Sequence, residues 1–192
     1  MKSNYVARAQ QFVHLIAPYF ISCHEEYDFE KATRRFLKDH PYRNVHCTHG
    51  YTRVALITSD YVVKIDYNKY GIDRFGGCEK EIELYKRAAS MGMAHLFAEI
   101  TRYDYNGRIY YIMPRVEDID EDRNEDAWDF MTEDERDWCE DCGLSDLHGG
   151  NFGFLHGHMV IIDYACYGKW AIKSASSPSF HAYSYSSILL SA

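Results

Sequence analysis

The chain has no apolar run approaching the roughly 20 residues that span a bilayer, so no membrane helix is expected. It is short of positive charge: 21 Lys and Arg face 29 Asp and Glu, a net charge of −8. That balance argues against direct nucleic-acid binding, which relies on basic patches to neutralise phosphate, and leaves room for a basic protein partner. The cysteines (Cys23, Cys47, Cys78, Cys139, Cys142 and Cys166) are irregularly spaced. No second CxxC or paired histidines complete Cys139-x-x-Cys142 as a zinc site. A chain this long needs no disulfide staples, so reduced thiols are expected. The first twenty residues are interrupted by Gln10, Gln11 and His14 and lack a cleavage-site pattern. No signal peptide is expected, and a cytoplasmic setting is the default. There are no internal repeats.

What is present is a globular composition, 46% apolar over 192 residues, enough for one domain with a core or two small lobes. Residues 4–22 place Val6, Ala9, Phe12, Val13, Ile16 and Phe20 on one helical face. A second amphipathic helix is expected to begin at Asp28 as N-cap and to end before Pro41. The period then shortens. Residues 51–57 and 61–65 are rich in β-branched and aromatic side chains and flank Thr58-Ser59-Asp60, a hairpin pattern. Gly76-Gly77 precedes a helix over 78–90. Residues 96–103 and 108–113 read as two further strands joined at Asn106-Gly107, a strong turn signal. The acidic run beginning at Glu117 and ending near Asp126 reads as a solvated loop. Thr132 is placed to cap a helix running to about Cys142. Residues 174–192 are rich in Ser and Tyr and read as a loosely held tail.

The segment 145–165, SDLHGGNFGFLHGHMVIIDYA, carries the chemistry. Asp146 is followed by Asn151, then by a short apolar hairpin turning at His156-Gly157-His158, then by Asp163. Phosphoryl transfer needs such a set: a carboxylate beside the acceptor hydroxyl, and oxygen ligands for a divalent cation.

Strand, strand, helix, strand, strand, then Asp-x-x-x-x-Asn and a hairpin ending in Asp: this order resembles the protein-kinase-like fold, from about Gly50 to Tyr167, roughly three-fifths of the sequence. The resemblance implies an α+β, protein-kinase-like fold. A small β-sheet N-lobe with one key helix would occupy 44–116, and a strongly reduced C-lobe 117–173. A helical extension, 1–43, would precede them and a tail, 174–192, follow. It also implies roles. Lys64, in Val62-Val63-Lys64-Ile65, is similar to the lysine of Val-Ala-Ile-Lys and would reach the α- and β-phosphates of ATP. Glu79, Glu81 and Glu83 compete to be its partner. Glu81 has apolar Leu84, Tyr85 and Ala88 at the family's spacing and is preferred, with Glu79 in reserve. Met113, Pro114 and Val116 would form the hinge that holds adenine, using the Pro114 carbonyl and the Val116 N–H. Asp146 would orient the acceptor hydroxyl and take its proton. Asn151 and Asp163 would hold Mg2+. His148 is a candidate phosphate contact.

The chain departs from the family at several points. There is no GxGxxG; only Gly50 precedes Tyr51-Thr52, so Thr52 and backbone N–H groups would have to cover the phosphates. Leu144-Ser145 replaces His-Arg, Tyr164-Ala165 replaces Phe-Gly, and only 29 residues follow Asp163. In this brevity the chain resembles the early serine/threonine protein kinases of short-tailed bacteriophages. That implies an ATP- and Mg2+-dependent enzyme, phage-encoded, phosphorylating host proteins in the host cytoplasm. Two other readings stand beside it. One is a kinase-fold pseudoenzyme that binds and inhibits a host protein. The other is a small-molecule phosphotransferase, favoured by Asp-Leu-His-Gly-Gly-Asn but left only 29 residues between Val116 and Asp146 for a substrate-binding insert. A second copy of the chain is the candidate cover for surface that a reduced lobe leaves open.

Overall fold

A computed structural model describes residues 4–41, 43–50, 52–67, 77–119, 129–144 and 149–165. Over these residues the chain is α+β, with helices packed on small antiparallel sheets. Helix α1 (Tyr5–Phe20) buries Ala9, Phe12, Val13, Ile16 and Phe20 of the expected stripe, and Ala17 as well, while Val6 near its start is only half-buried. Helix α2 (Glu26–Asp39) buries Phe29, Ala32 and Phe36. The expected N-cap, Asp28, instead lies inside the first turn, and its carboxylate accepts from the His24 N–H at 3.1 Å. An acidic side chain there still satisfies a backbone donor at the positive end of the helix.

Five strands form the main sheet: β1 (His46–His49), β2 (Arg53–Ile57), β3 (Tyr61–Asp66), β4 (Thr101–Tyr105) and β5 (Arg108–Pro114). Their order is β1-β2-β3-β5-β4, with every neighbour antiparallel. Strand β1 is not anticipated by its sequence. His-Cys-Thr-His has no apolar alternation, and the strand lies at an edge with three of its four residues exposed. The β4–β5 turn places Asn106 and Gly107 at φ 50° and 75°, the left-handed pair that a tight hairpin requires. The strand expected over 96–103 starts only at Thr101. Ala94–Leu96 form a 3-10 turn. Phe97, Ala98 and Ile100 are spent on the core, and the Ala98 N–H donates to the Ile161 carbonyl at 2.9 Å.

Helix α3 (Cys78–Ser90) lies between β3 and β4 in the chain. Helix α4 (Glu133–Asp141) begins with a full capping box, Thr132 and Glu135 each bonding the other's backbone N–H, as a Ser/Thr-x-x-Glu start should. A second sheet pairs β6 (Glu117–Asp118), β7 (Phe152–Leu155) and β8 (His158–Ile161) in that order. The acidic run expected as loop therefore opens as a two-residue strand against β7; residues 120–128 lie outside the described residues.

Two cores sandwich the main sheet. Val54, Leu56, Val63, Ile65, Tyr110 and Ile112 face α1 and α2. Tyr111 and Met113 face the other way, into a core with α3, α4 and the second sheet. Residues 5–39 thus form the back layer of the sheet. Each buried aromatic or aliphatic side chain there contributes about 1.5–3 kcal/mol. No helix among the described residues is long and apolar enough to cross a membrane.

Candidate functional site

Alternation along β2 and β3 sends Arg53, Ala55, Ile57, Val62, Lys64 and Asp66 to the face opposite α1. The register sets Lys64 beside Ala55 and Arg53 beside Asp66. Helix α3 crosses this face. Its N-cap, Gly77, has no side chain to offer. Asp66 supplies the cap from β3 instead: its carboxylate accepts from the Cys78 N–H at 3.1 Å and from the Cys78 thiol at 3.2 Å. An anion is thereby placed at the positive end of the helix dipole.

That anchoring delivers Glu81, fully buried, to Lys64. The Lys64 ammonium donates to both Glu81 oxygens at 3.0 Å and to the Ile162 carbonyl at 2.9 Å. The Arg53 guanidinium donates to Glu81 Oε1 at 2.9 Å and to Cys78 Sγ at 3.3 Å, and its Nη2 stands 3.9 Å from Asp163 Oδ1. The Tyr164 N–H also approaches Glu81 Oε1, at 3.4 Å. Two cations and three carboxylates are therefore packed together, a cluster that is tolerable in low dielectric only because its members are paired.

Their titration follows from this packing. Burial lowers the Lys64 pKa, but Glu81 and then Asp163 overcome it, and the ammonium is held above its ordinary value. Burial raises the Glu81 carboxyl, with Lys64 and Arg53 pulling against it. Burial also pushes the Cys78 thiol well up, so it stays neutral. Asp163 differs. Desolvation raises it, yet Lys64 and Arg53 prevail, and its carboxyl titrates below the usual range. About half of its side chain (49%) remains open to solvent, so an ionised carboxylate is presented outward.

Beside this cluster lies a cleft of about 290 Å³. Ala55, Ile57, Val62, Met113, Val116 and Ile162 give it apolar walls, and Lys64 and Asp163 stand at its polar end. Met113 and Pro114 close β5, and the chain leaves the sheet there. The Arg115 N–H donates to the Asp60 carbonyl at 3.0 Å. Pro114, opposite Tyr61, therefore holds a non-hydrogen-bonded position where the ladder needs no donor from it. Val116 is seated by Gly153 of β7: a Cβ there would run into the Val116 side chain.

The structure thus brings Lys64, Glu81, Asp163, Met113, Pro114 and Val116 to one cleft or its wall. Asn151 ends a short 3-10 turn, and its carbonyl accepts from the Ile162 N–H at 2.8 Å, which sets its backbone beside Asp163. Thr52 does not join them. It is buried, its hydroxyl accepts from Arg53 Nε at 3.4 Å, and it is not among the described residues that line the cleft. Thr48 of β1 lines it instead. Asp146, His148 and the serine-rich tail lie outside the described residues.

Sequence reasoning missed Arg53, Thr48 and Gly153. Arg53 left one trace, its shared parity with Ala55 and Ile57. Thr48 left none.

The donor set bears on which cation would fit. Among the described residues no three His, Cys, Asp or Glu side chains gather as a metal cage. A single open carboxylate suits a hard ion that takes its remaining ligands from phosphate and water, as magnesium does. Comparison with known proteins finds no matching family model, no matching curated protein and no matching solved structure.

Proposed function

We propose that the protein is an ATP- and Mg2+-dependent protein kinase of reduced kinase-like architecture, phosphorylating serine or threonine on proteins. One observation carries this reading. The buried Lys64–Glu81 pair is tied through the Ile162 carbonyl to Asp163, at the polar end of an apolar cleft. The strand order with α3 set between β3 and β4 supports it.

In this reading a flat heteroaromatic base lies between Ala55, Val62, Met113 and Ile162. Val116 offers its N–H, and the Pro114 carbonyl accepts. Lys64 holds the phosphates, and Glu81 fixes the lysine's direction, so little rotamer entropy is lost on binding. Asp163 and Asn151 would hold magnesium, which when bound supplies positive charge to the phosphate oxygens. Asp146 receives the proton of the acceptor hydroxyl; that assignment rests on the sequence motif. The phage relationship and host-protein substrates rest on the resemblance alone.

Incubation with radiolabelled ATP, Mg2+ and a bacterial lysate tests the reading. Label should pass to proteins, not to amino-sugars or nucleosides, and Asp146→Ala and Asp163→Asn should each reduce transfer at least about 100-fold. Full activity in Asp146→Ala would refute the assignment. One observation favours the pseudoenzyme alternative: Arg53 stands 3.9 Å from the carboxylate a metal would need. Nucleotide that raises the melting temperature only without Mg2+, together with no transfer, would select it.

A further inference from the structure

Arg53 is the member of the charged cluster that the kinase-like reading leaves without a task. It is buried to 8% side-chain exposure, and it stands behind Glu81, outside the set of residues that line the cleft. Its placement answers a problem in the geometry of Lys64. An ammonium has three donors. In this structure all three are spent: two on Glu81 and one on Ile162. To hold a phosphate, Lys64 must release one of them. Release of a donor from a fully buried carboxylate oxygen is costly unless that oxygen keeps another partner. Oε1 of Glu81 has such a partner, because Arg53 Nη1 donates to it at 2.9 Å, with the Tyr164 N–H also near. Oε2 accepts from Lys64 at 3.0 Å.

We propose that Arg53 is a positioning residue that keeps Glu81 anchored while Lys64 turns one donor from Glu81 Oε1 to a nucleotide phosphate. The inference deepens the kinase-like reading of the same site and rests on it. Lys64 keeps its hold on Oε2, so the helix-to-strand bridge survives nucleotide binding. Without Arg53, the lysine must choose between its glutamate and the phosphate. The second guanidinium nitrogen, facing Asp163, extends the same brace toward the metal-binding carboxylate. A lysine at position 53 would keep the charge but lose the fork, since a compact ammonium cannot span Glu81 and Asp163 together.

Calorimetric binding of ADP and of adenosine, without divalent metal, to wild type and Arg53→Lys tests this. Omitting the metal keeps Asp163 out of the measurement as a ligand. Arg53→Lys should bind adenosine within about twofold of wild type and ADP about tenfold more weakly, the equivalent of one charge-assisted hydrogen bond. A merely structural role would weaken both ligands alike, and that result would overturn the proposal, as would unchanged ADP affinity in the folded variant. Should Arg53→Lys not fold, nitrogen NMR on wild type decides. Arg53 guanidinium protons should stay protected when ADP is added while the Lys64 ammonium signal moves; loss of Arg53 protection would overturn the proposal. Wild type that binds neither ligand removes the kinase-like reading and this inference together. Wild type that binds ADP, beside an indifferent variant, removes the role of Arg53 alone.

Discussion

The two faces of the main sheet are made from the same strands and solve opposite problems. On the back, Val54, Leu56, Val63, Ile65 and Ile112 meet α1 and α2 in an aromatic-rich layer. Among the described residues its buried cation is Arg108, which donates to the Phe20 and Cys23 carbonyls at the end of α1 and lies 4.7 Å from the centre of the Phe29 ring. On the front, Arg53, Lys64 and Asp66 project from the alternate positions and are balanced by side-chain charge from α3 and Asp163. A helix C-terminus is a fixed counter-dipole, whereas carboxylates can exchange partners. The back face is therefore a support, and the front face is where a ligand can alter the pairing.

The sharpest way to break this contrast is Glu81→Ala. It strands Lys64 and Arg53 without their shared counter-charge and should cost about 3–5 kcal/mol in urea unfolding, with ADP binding lost. A neutral result would mean the front cluster carries no weight. Leu56→Ala, fully buried on the back, should cost about 2–5 kcal/mol yet leave the ADP affinity of the folded protein unchanged. A changed affinity would mean the two faces are coupled. Gly153→Ala pushes on Val116. It should cost about 1–3 kcal/mol by overpacking and weaken adenosine binding, which measures how firmly β7 sets the cleft wall. Thr132→Ala removes the α4 cap and should cost about 1 kcal/mol without effect on the cleft.

The smallest effect is in pH dependence. The Asp163 carboxyl is depressed in the folded chain from its ordinary 3.8. Its stabilising contribution is thus complete above about pH 4 and fades as pH falls through the lower folded value. Half-exposure and screening hold it to a fraction of a kcal/mol. Thermal melts of Asp163→Asn should lose that acid-limb component and little else. An unchanged acid limb would show that Asp163 gains nothing from Lys64 and Arg53.

Much of this was legible beforehand because period encodes burial. The α1 stripe, the helix at 78–90, the Asn106-Gly107 turn and the Thr132 cap follow from local chemistry. Lys64 could be assigned a face from its strand neighbours, but choosing Glu81 over Glu79 required the apolar spacing that the kinase-like resemblance implies. Glu79 is engaged elsewhere in the fold: it accepts from Arg102 at 2.6 Å and from the Tyr111 hydroxyl at 3.0 Å, on another side of α3. Strand β1 escaped notice because an exposed edge strand carries no hydrophobic period. The run from Phe97 to Ile100 misled because apolar residues that join two sheets look locally like a strand.

Residue type and short spacing alone were enough to place α1, the helix at 78–90 and the Asn106-Gly107 turn, and to offer Lys64, Asn151 and Asp163 as candidate site residues, since those signals are local. Tertiary structure alone decided that Asp66 caps α3, that Arg53 shares Glu81 with Lys64, and that Gly153 seats Val116. Each of these joins groups between 12 and 37 residues apart, and no local pattern encodes which distant side chain will meet a buried charge.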